Sequence, residues 1–116
     1  METISKINKK IEYLTQLAIN QYNIDENIVV HAAKKAKKVN EWANENGFSE
    51  TDIFMSEGGV FVLVAYKKEN SIEITILDDN TYDIFIENNG IKLLYKQHQC
   101  KFDIQALLHL WESKLL

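Results

Sequence analysis

Apolar residues change their spacing twice along this chain. Ile4, Ile7, Ile11, Leu14 and Ala18 recur at alternating steps of three and four. That spacing puts them on one stripe and predicts a helix over residues 5–22, with Thr3 or Ser5 as its cap. Asn23 ends it, and Asp25 opens a second helix that runs to about Asn46. Val29, Ala32, Ala33, Ala36, Val39 and Ala43 form its stripe, small enough for close packing. Gly47 stands where a left-handed residue closes a helix, and Phe48 can fold back onto the last turn. Residues 5–46 therefore read as a helical hairpin.

The period then shortens to two. Ile53, Phe54 and Met55 make an apolar lead-in before the turn at Ser56-Glu57-Gly58-Gly59. Residues 60–68 are apolar on both faces, with Val60, Val62, Val64 and Tyr66 on one and Phe61, Leu63 and Ala65 on the other. Lys68-Glu69-Asn70 turns the chain into a clean alternation of Ile72, Ile74 and Ile76 with Ser71, Glu73 and Thr75. After Asp78-Asp79-Asn80 the pattern repeats with Tyr82, Ile84 and Ile86, and Phe85 intrudes on the polar face. Asn89-Gly90 is a strong hairpin signal. Beyond it Ile91, Leu93 and Tyr95 oppose Lys92, Leu94 and Lys96. These segments make a four- to five-stranded antiparallel meander over residues 53–97.

Helical spacing returns at the end of the chain. Asp103 can cap a helix over residues 103–116 whose stripe is Ile104, Leu107, Leu108, Trp111 and Leu115. The expected fold is one α+β domain spanning residues 1–116, with helices roofing the apolar side of the sheet. Phe61, Leu63, Phe85 and Leu94 are expected on the opposite side. Clustered there, they would form an apolar patch for a partner or a second copy.

Composition narrows the class. The chain has 116 residues, no proline and no arginine, and one cysteine, Cys100. An intramolecular disulfide is excluded, and a reducing cytoplasm is the natural compartment. The first residues are polar, unlike a signal peptide, and no apolar run approaches the ~20 residues of a membrane helix. Residues 1–38 hold seven lysines against four acids, net +3, while residues 39–116 hold six against thirteen, net −7.

That basic front contains Lys34, Lys35, Lys37 and Lys38 on one arc of the second helix, flanked by His31 and Trp42. Such an arc can follow phosphates or meet an acidic protein. Glu41 and Glu45 continue the same arc with negative charge, and there is no arginine for bidentate base contacts. A solvated helix face is the simpler account.

Candidate chemistry is sparse. His98, Cys100 and His109 are possible metal ligands, but one His-x-Cys and a distant histidine lack a fourth ligand. The same residues offer no local motif for a Cys/His nucleophile. Asp78, Asp79, Asn80 and Asp83 suit tight turns and lack the spacing of a calcium loop. Gly58-Gly59 precedes a strand, so no helix N-terminus is there to hold phosphate. No catalytic, cofactor-binding or metal residue is assigned, and no cofactor is expected.

The run GGVFVLVAY…SIEITILDDNTYDIFI resembles a meander of small uncharacterised bacterial proteins. The likeness is carried by Gly58, Gly59, Tyr66, Ile72-Glu73-Ile74 and Asp78-Asp79. It covers about a third of the chain and implies no catalytic residues.

The favoured expectation is a non-catalytic protein-interaction module. It would be a small bacterial regulatory or accessory protein, acting on another protein or as a homodimer. An immunity- or antitoxin-type role fits its size and acidity. The competing expectations are a small-molecule pocket between helices and sheet, lined by Tyr66, Tyr82, Tyr95 and Trp111, and weak nucleic-acid binding through the Lys34–Lys38 arc.

Overall fold

In the computed structural model, the helical period of the first 45 residues becomes two helices, α1 (Glu2–Asn20) and α2 (Glu26–Glu45). The structure describes residues 2–48, 50–56, 59–77 and 81–99, without the side chains of residues 2–4, 93 and 94. The expected helix over residues 103–116 lies outside these residues, as do Cys100, His109, Trp111, Gly58 and the Asp78-Asp79-Asn80 turn.

The stripes of both helices are buried as their spacing requires. Ile7, Ile11, Leu14 and Ala18 of α1 meet the interior, as do Val29, Ala32, Ala33, Ala36, Val39 and Ala43 of α2. α1 begins at Glu2, so Thr3 and Ser5 lie inside its first turns instead of capping it. Asp25 is the N-cap of α2, its carboxylate accepting the N–H of Asn27 at 2.8 Å. Asn23 makes the break between the helices at φ 52°. Gly47 closes α2 at φ 82°, and the N–H of Phe48 donates to the carbonyl of Ala43 at 3.1 Å. The Phe48 ring then packs on Trp42, with centroids 5.5 Å apart. This is the left-handed helix ending that the Gly-Phe pair predicts.

Five strands follow: β1 (Glu50–Ser56), β2 (Val60–Lys67), β3 (Asn70–Ile76), β4 (Tyr82–Asn88) and β5 (Ile91–Gln99). They pair antiparallel in the order β1-β2-β3-β4-β5. The fold is α+β, a helical pair against an antiparallel meander. α1 packs against β1 and α2 mainly against β2. The apolar lead-in at residues 53–55 is the middle of a full edge strand.

Register corrects the expected faces of the sheet. Lys67 pairs with Asn70, so the turn holds two residues, Lys68 and Glu69, instead of three. Phe61, Leu63 and Ala65 therefore stand opposite Ile76, Ile74 and Ile72, on the side facing the helices. Phe61 and Leu63 are 0% exposed. They belong to the core and not to an outer patch. The valine set of β2 lines the outer side. A one-residue change of pairing transfers every side chain of a strand to the other face.

A second shift occurs on β5. Asn89 and Gly90 form the predicted two-residue turn, both with positive φ, and Asn88 pairs with Ile91. A bulge between Ile86 and Glu87 then advances β5 by one residue. Leu94 consequently pairs with Ile86 of the helix-facing side, and Tyr95 pairs with Phe85 of the outer side. Both positions are the reverse of those expected.

Candidate functional site

The outer face of the sheet is set by this register. Phe54 pairs with Val62, and Glu50 with Tyr66. Val62, Val64 and Tyr66 pair in turn with Thr75, Glu73 and Ser71. Glu73 faces Phe85, and Phe85 faces Tyr95. The outer face thus carries two apolar groups, Phe54, Val62, Val64 and Tyr66 on β1 and β2 and Phe85 with Tyr95 on β4 and β5, with Ser71, Glu73 and Thr75 of β3 between them. Phe54, Tyr66 and Tyr95 are 44%, 43% and 48% exposed. Val62 is buried among its neighbours. Of the residues expected to form a patch, Phe85 is on this side, and Phe61 and Leu63 are on the other.

Phe85 and Tyr95 meet edge to face, with centroids 5.9 Å apart and planes at 69°. The Tyr95 hydroxyl accepts from the Gln97 side-chain amide at 2.8 Å. Beside this pair, Glu73, Thr75 and Asp83 complete the walls of a shallow notch of ≈300 Å³. Asp83 is held in place because one of its oxygens accepts the backbone N–H of His98 at 3.0 Å. His98 is left-handed at φ 53°, in the second irregularity of β5. Among the described residues, the strands present Glu50, Asp52, Glu73, Asp83 and Glu87 on the outer face against one lysine, Lys92.

At the edge of β1, the first strand in the order of those described, the chemistry is different. A cleft of ≈580 Å³ lies between α1 and the strand, lined by Lys6, Ile7, Lys10, Glu50, Thr51, Asp52 and Tyr66. Lys10 forms an ion pair with Asp52 at 2.8 Å. The other oxygen-accepting role of Asp52 is local: the same carboxylate oxygen takes the N–H of Ile53 at 2.8 Å. The Lys10 hydrogen bond, aided by that N–H, holds Asp52 below the ordinary carboxylate value, against the opposing effect of partial burial.

Beneath this edge sits a polar residue that sequence reasoning missed. Asn40 of α2 is fully buried. Its side-chain oxygen accepts the Thr51 hydroxyl at 3.0 Å and the Asn44 amide at 3.2 Å. Its own amide donates to Asn8 of α1 at 3.4 Å. One side chain thus ties α1, α2 and β1 together. The available signal was its place among Ala33, Ala36 and Ala43 on the buried side of the helical wheel.

Two members of the expected lysine arc contact other elements. Lys37 reaches Glu12 of α1 at 3.2 Å. Lys35 lies on the other flank of α2, its Nζ 5.4 Å from the centroid of the Tyr82 ring. Lys34 and Lys38 are exposed between them, and Trp42 is half-buried against Phe48. The expected tyrosine pocket is divided. Tyr82 is buried on the helix-facing side, where burial pushes its hydroxyl pKa up, while Tyr66 and Tyr95 are on the other face. His98 is exposed, and its proposed co-ligands lie outside the described residues. Among the described residues, no three His, Cys, Asp or Glu side chains converge as metal ligands. No helix among them is long and apolar enough to cross a membrane.

No family model, curated protein or solved structure matches this chain.

Proposed function

We propose that this chain is a non-catalytic protein-interaction module, a small bacterial regulatory or accessory protein of the cytoplasm, which docks through the outer face of its sheet. The observation that carries this is the set of apolar residues on the side away from the helices, Phe54, Val62, Val64 and Tyr66 on β1 and β2 and Phe85 with Tyr95 on β4 and β5. Three of its aromatic rings remain more than two-fifths exposed. Aromatic side chains with a polar rim are the composition of protein interfaces. A flat face of this kind suits another protein better than a small molecule, which needs enclosure.

The face favours a different protein over a second copy. Its charged residues are mostly carboxylates, so two such faces stacked on each other would repel. An immunity- or antitoxin-like role, in which an acidic protein covers a basic partner, is compatible with that charge.

Affinity capture from the source cells tests the proposal. Three baits are compared: the wild-type chain, Phe54→Ser/Tyr95→Ser on the sheet, and Lys34→Gln/Lys38→Gln on α2. A discrete protein held by the wild type and the lysine variant, and lost by the sheet variant, is the expected result. Equal capture by all three, loss only with the lysine variant, or no specific capture would overturn it.

A further inference from the structure

We infer that the notch between Phe85 and Tyr95 receives a cationic side chain, an arginine or lysine projecting from a basic partner segment. This inference rests on the sheet-face docking proposed above and names the chemistry of the partner.

Three features of the notch lead to it. First, its floor is an aromatic pair in edge-to-face contact, and Tyr95 leaves almost half of its surface open. An aromatic face attracts a cation through its quadrupole. Second, Glu73 and Asp83 come from neighbouring strands to wall the same notch. Glu73 is directly opposite Phe85, and Asp83 is directly opposite Thr75, so the two carboxylates flank the ring on adjacent rows. Third, at ≈300 Å³ the notch has the scale of a single long side chain and falls at the bottom of the range for small-molecule sites.

Electrostatics decide the sign of the occupant. Lys92, the outer-face lysine, stands opposite Glu87, one row along from Phe85 and Tyr95. It leaves the notch itself acidic. An anionic or purely apolar occupant would have to desolvate Glu73 and Asp83 without compensation. A guanidinium or ammonium group instead satisfies both carboxylates and covers the exposed ring. The Asp83 oxygen already engaged by the His98 N–H fixes the carboxylate, which lowers the ordering cost of receiving that group.

The test uses a defined probe. The ¹⁵N-labelled chain is titrated with a blocked alternating arginine–alanine heptapeptide and with the same peptide carrying citrulline for arginine. Citrulline keeps the shape of arginine and removes its charge. The arginine peptide should shift the amides of Glu73, Thr75, Asp83, Phe85 and Tyr95, and the citrulline peptide should not. Glu73→Gln/Asp83→Asn should weaken binding about fivefold or more, and Tyr95→Leu by a smaller factor. A dispersed spectrum of each variant establishes that it is folded. Shifts spread over other acidic residues, equal response to citrulline, an unchanged affinity of the double variant, or no response each sink the inference. The two proposals separate in the capture experiment. If Phe54→Ser/Tyr95→Ser loses the partner while Glu73→Gln/Asp83→Asn retains it, sheet-face docking stands and the cation notch falls.

Discussion

Asn40 shows how much one buried polar residue fixes. It is 0% exposed, yet its oxygen and amide reach Thr51, Asn44 and Asn8. Asn40→Leu keeps the branching and the number of heavy atoms and orphans the Thr51 hydroxyl. A loss of about 2 kcal/mol in urea unfolding is expected. Adding Thr51→Val removes the stranded partner, so the double variant should lose less than the sum of the singles. Strict additivity would show that Asn40 and Thr51 are not coupled. Two glycines give a second residue-scale comparison. Gly90 and Gly59 both have strongly positive φ. A Cβ at Gly90 would meet nothing within 4 Å, whereas one at Gly59 would come within 1.8 Å of Ile24 Cδ1. Gly90→Ala should cost about 1 kcal/mol from backbone conformation alone. Gly59→Ala should cost more, and the difference should vanish when Gly59→Ala is measured in an Ile24→Ala background. Equal midpoints for the two single variants in denaturation would contradict this.

At the scale of the element, the edge of β1 that no described strand pairs with is closed by Asp52. Its carboxylate takes the N–H of the next residue and is itself held by Lys10. A charged group on an edge strand blocks edge-to-edge pairing. Asp52→Ala should therefore raise the apparent mass by light scattering at high protein concentration, and an unchanged mass would refute the edge-closing role. The same contact predicts a pH dependence. Asp52 in the folded chain lies below its ordinary value of 3.8, so its contribution to stability is present above that value. That contribution is lost as pH falls through the folded value. An NMR titration of Lys10→Met should return Asp52 upward toward 3.8, and no movement would assign the shift elsewhere. Element identity was legible for both helices and for β2 to β5, because period and caps are local, while β1 was legible only as a short apolar lead-in. Face assignment was not. The turn after β2 is one residue shorter than its polar composition suggested, and the bulge in β5 has no local marker between Lys92 and Tyr95. Each shift of one residue exchanged the faces: Phe61 and Leu63 moved inward, and Tyr95 moved outward.

For the whole molecule, the two layers differ in how they use charge. On the helical side, lysines are spent on contacts such as Lys37 with Glu12 and Lys35 above Tyr82. On the sheet side, five carboxylates lie among the exposed aromatic residues, and one of them, Asp52, is paired with Lys10. Stacking two sheet faces would bring those carboxylates together, so a 13.5 kDa species is expected by light scattering at micromolar concentration in low salt. A stable 27 kDa species, about twice that mass, would point to self-association and against a separate basic partner. The basic arc was legible as four lysines on one side of a helix. The contacts of Lys37 and Lys35 were not, because both the Glu12 partner and the Tyr82 ring come from other elements.

The sequence by itself determined the class of this protein: two helices with matched apolar stripes, then strands with a two-residue repeat, joined by Asp25, Gly47 and Asn89-Gly90. Those features depend on neighbours within a few positions, so they are written locally. Only the tertiary structure decided which side of β2 faces the helices, and hence which aromatics remain on the surface. Val60, Val62 and Val64 are as apolar as Phe61, Leu63 and Ala65, and hydrophobicity alone cannot rank them. Pairing with the isoleucines of β3 chose between the two sets, and the bulge in β5 then brought Tyr95 beside Phe85.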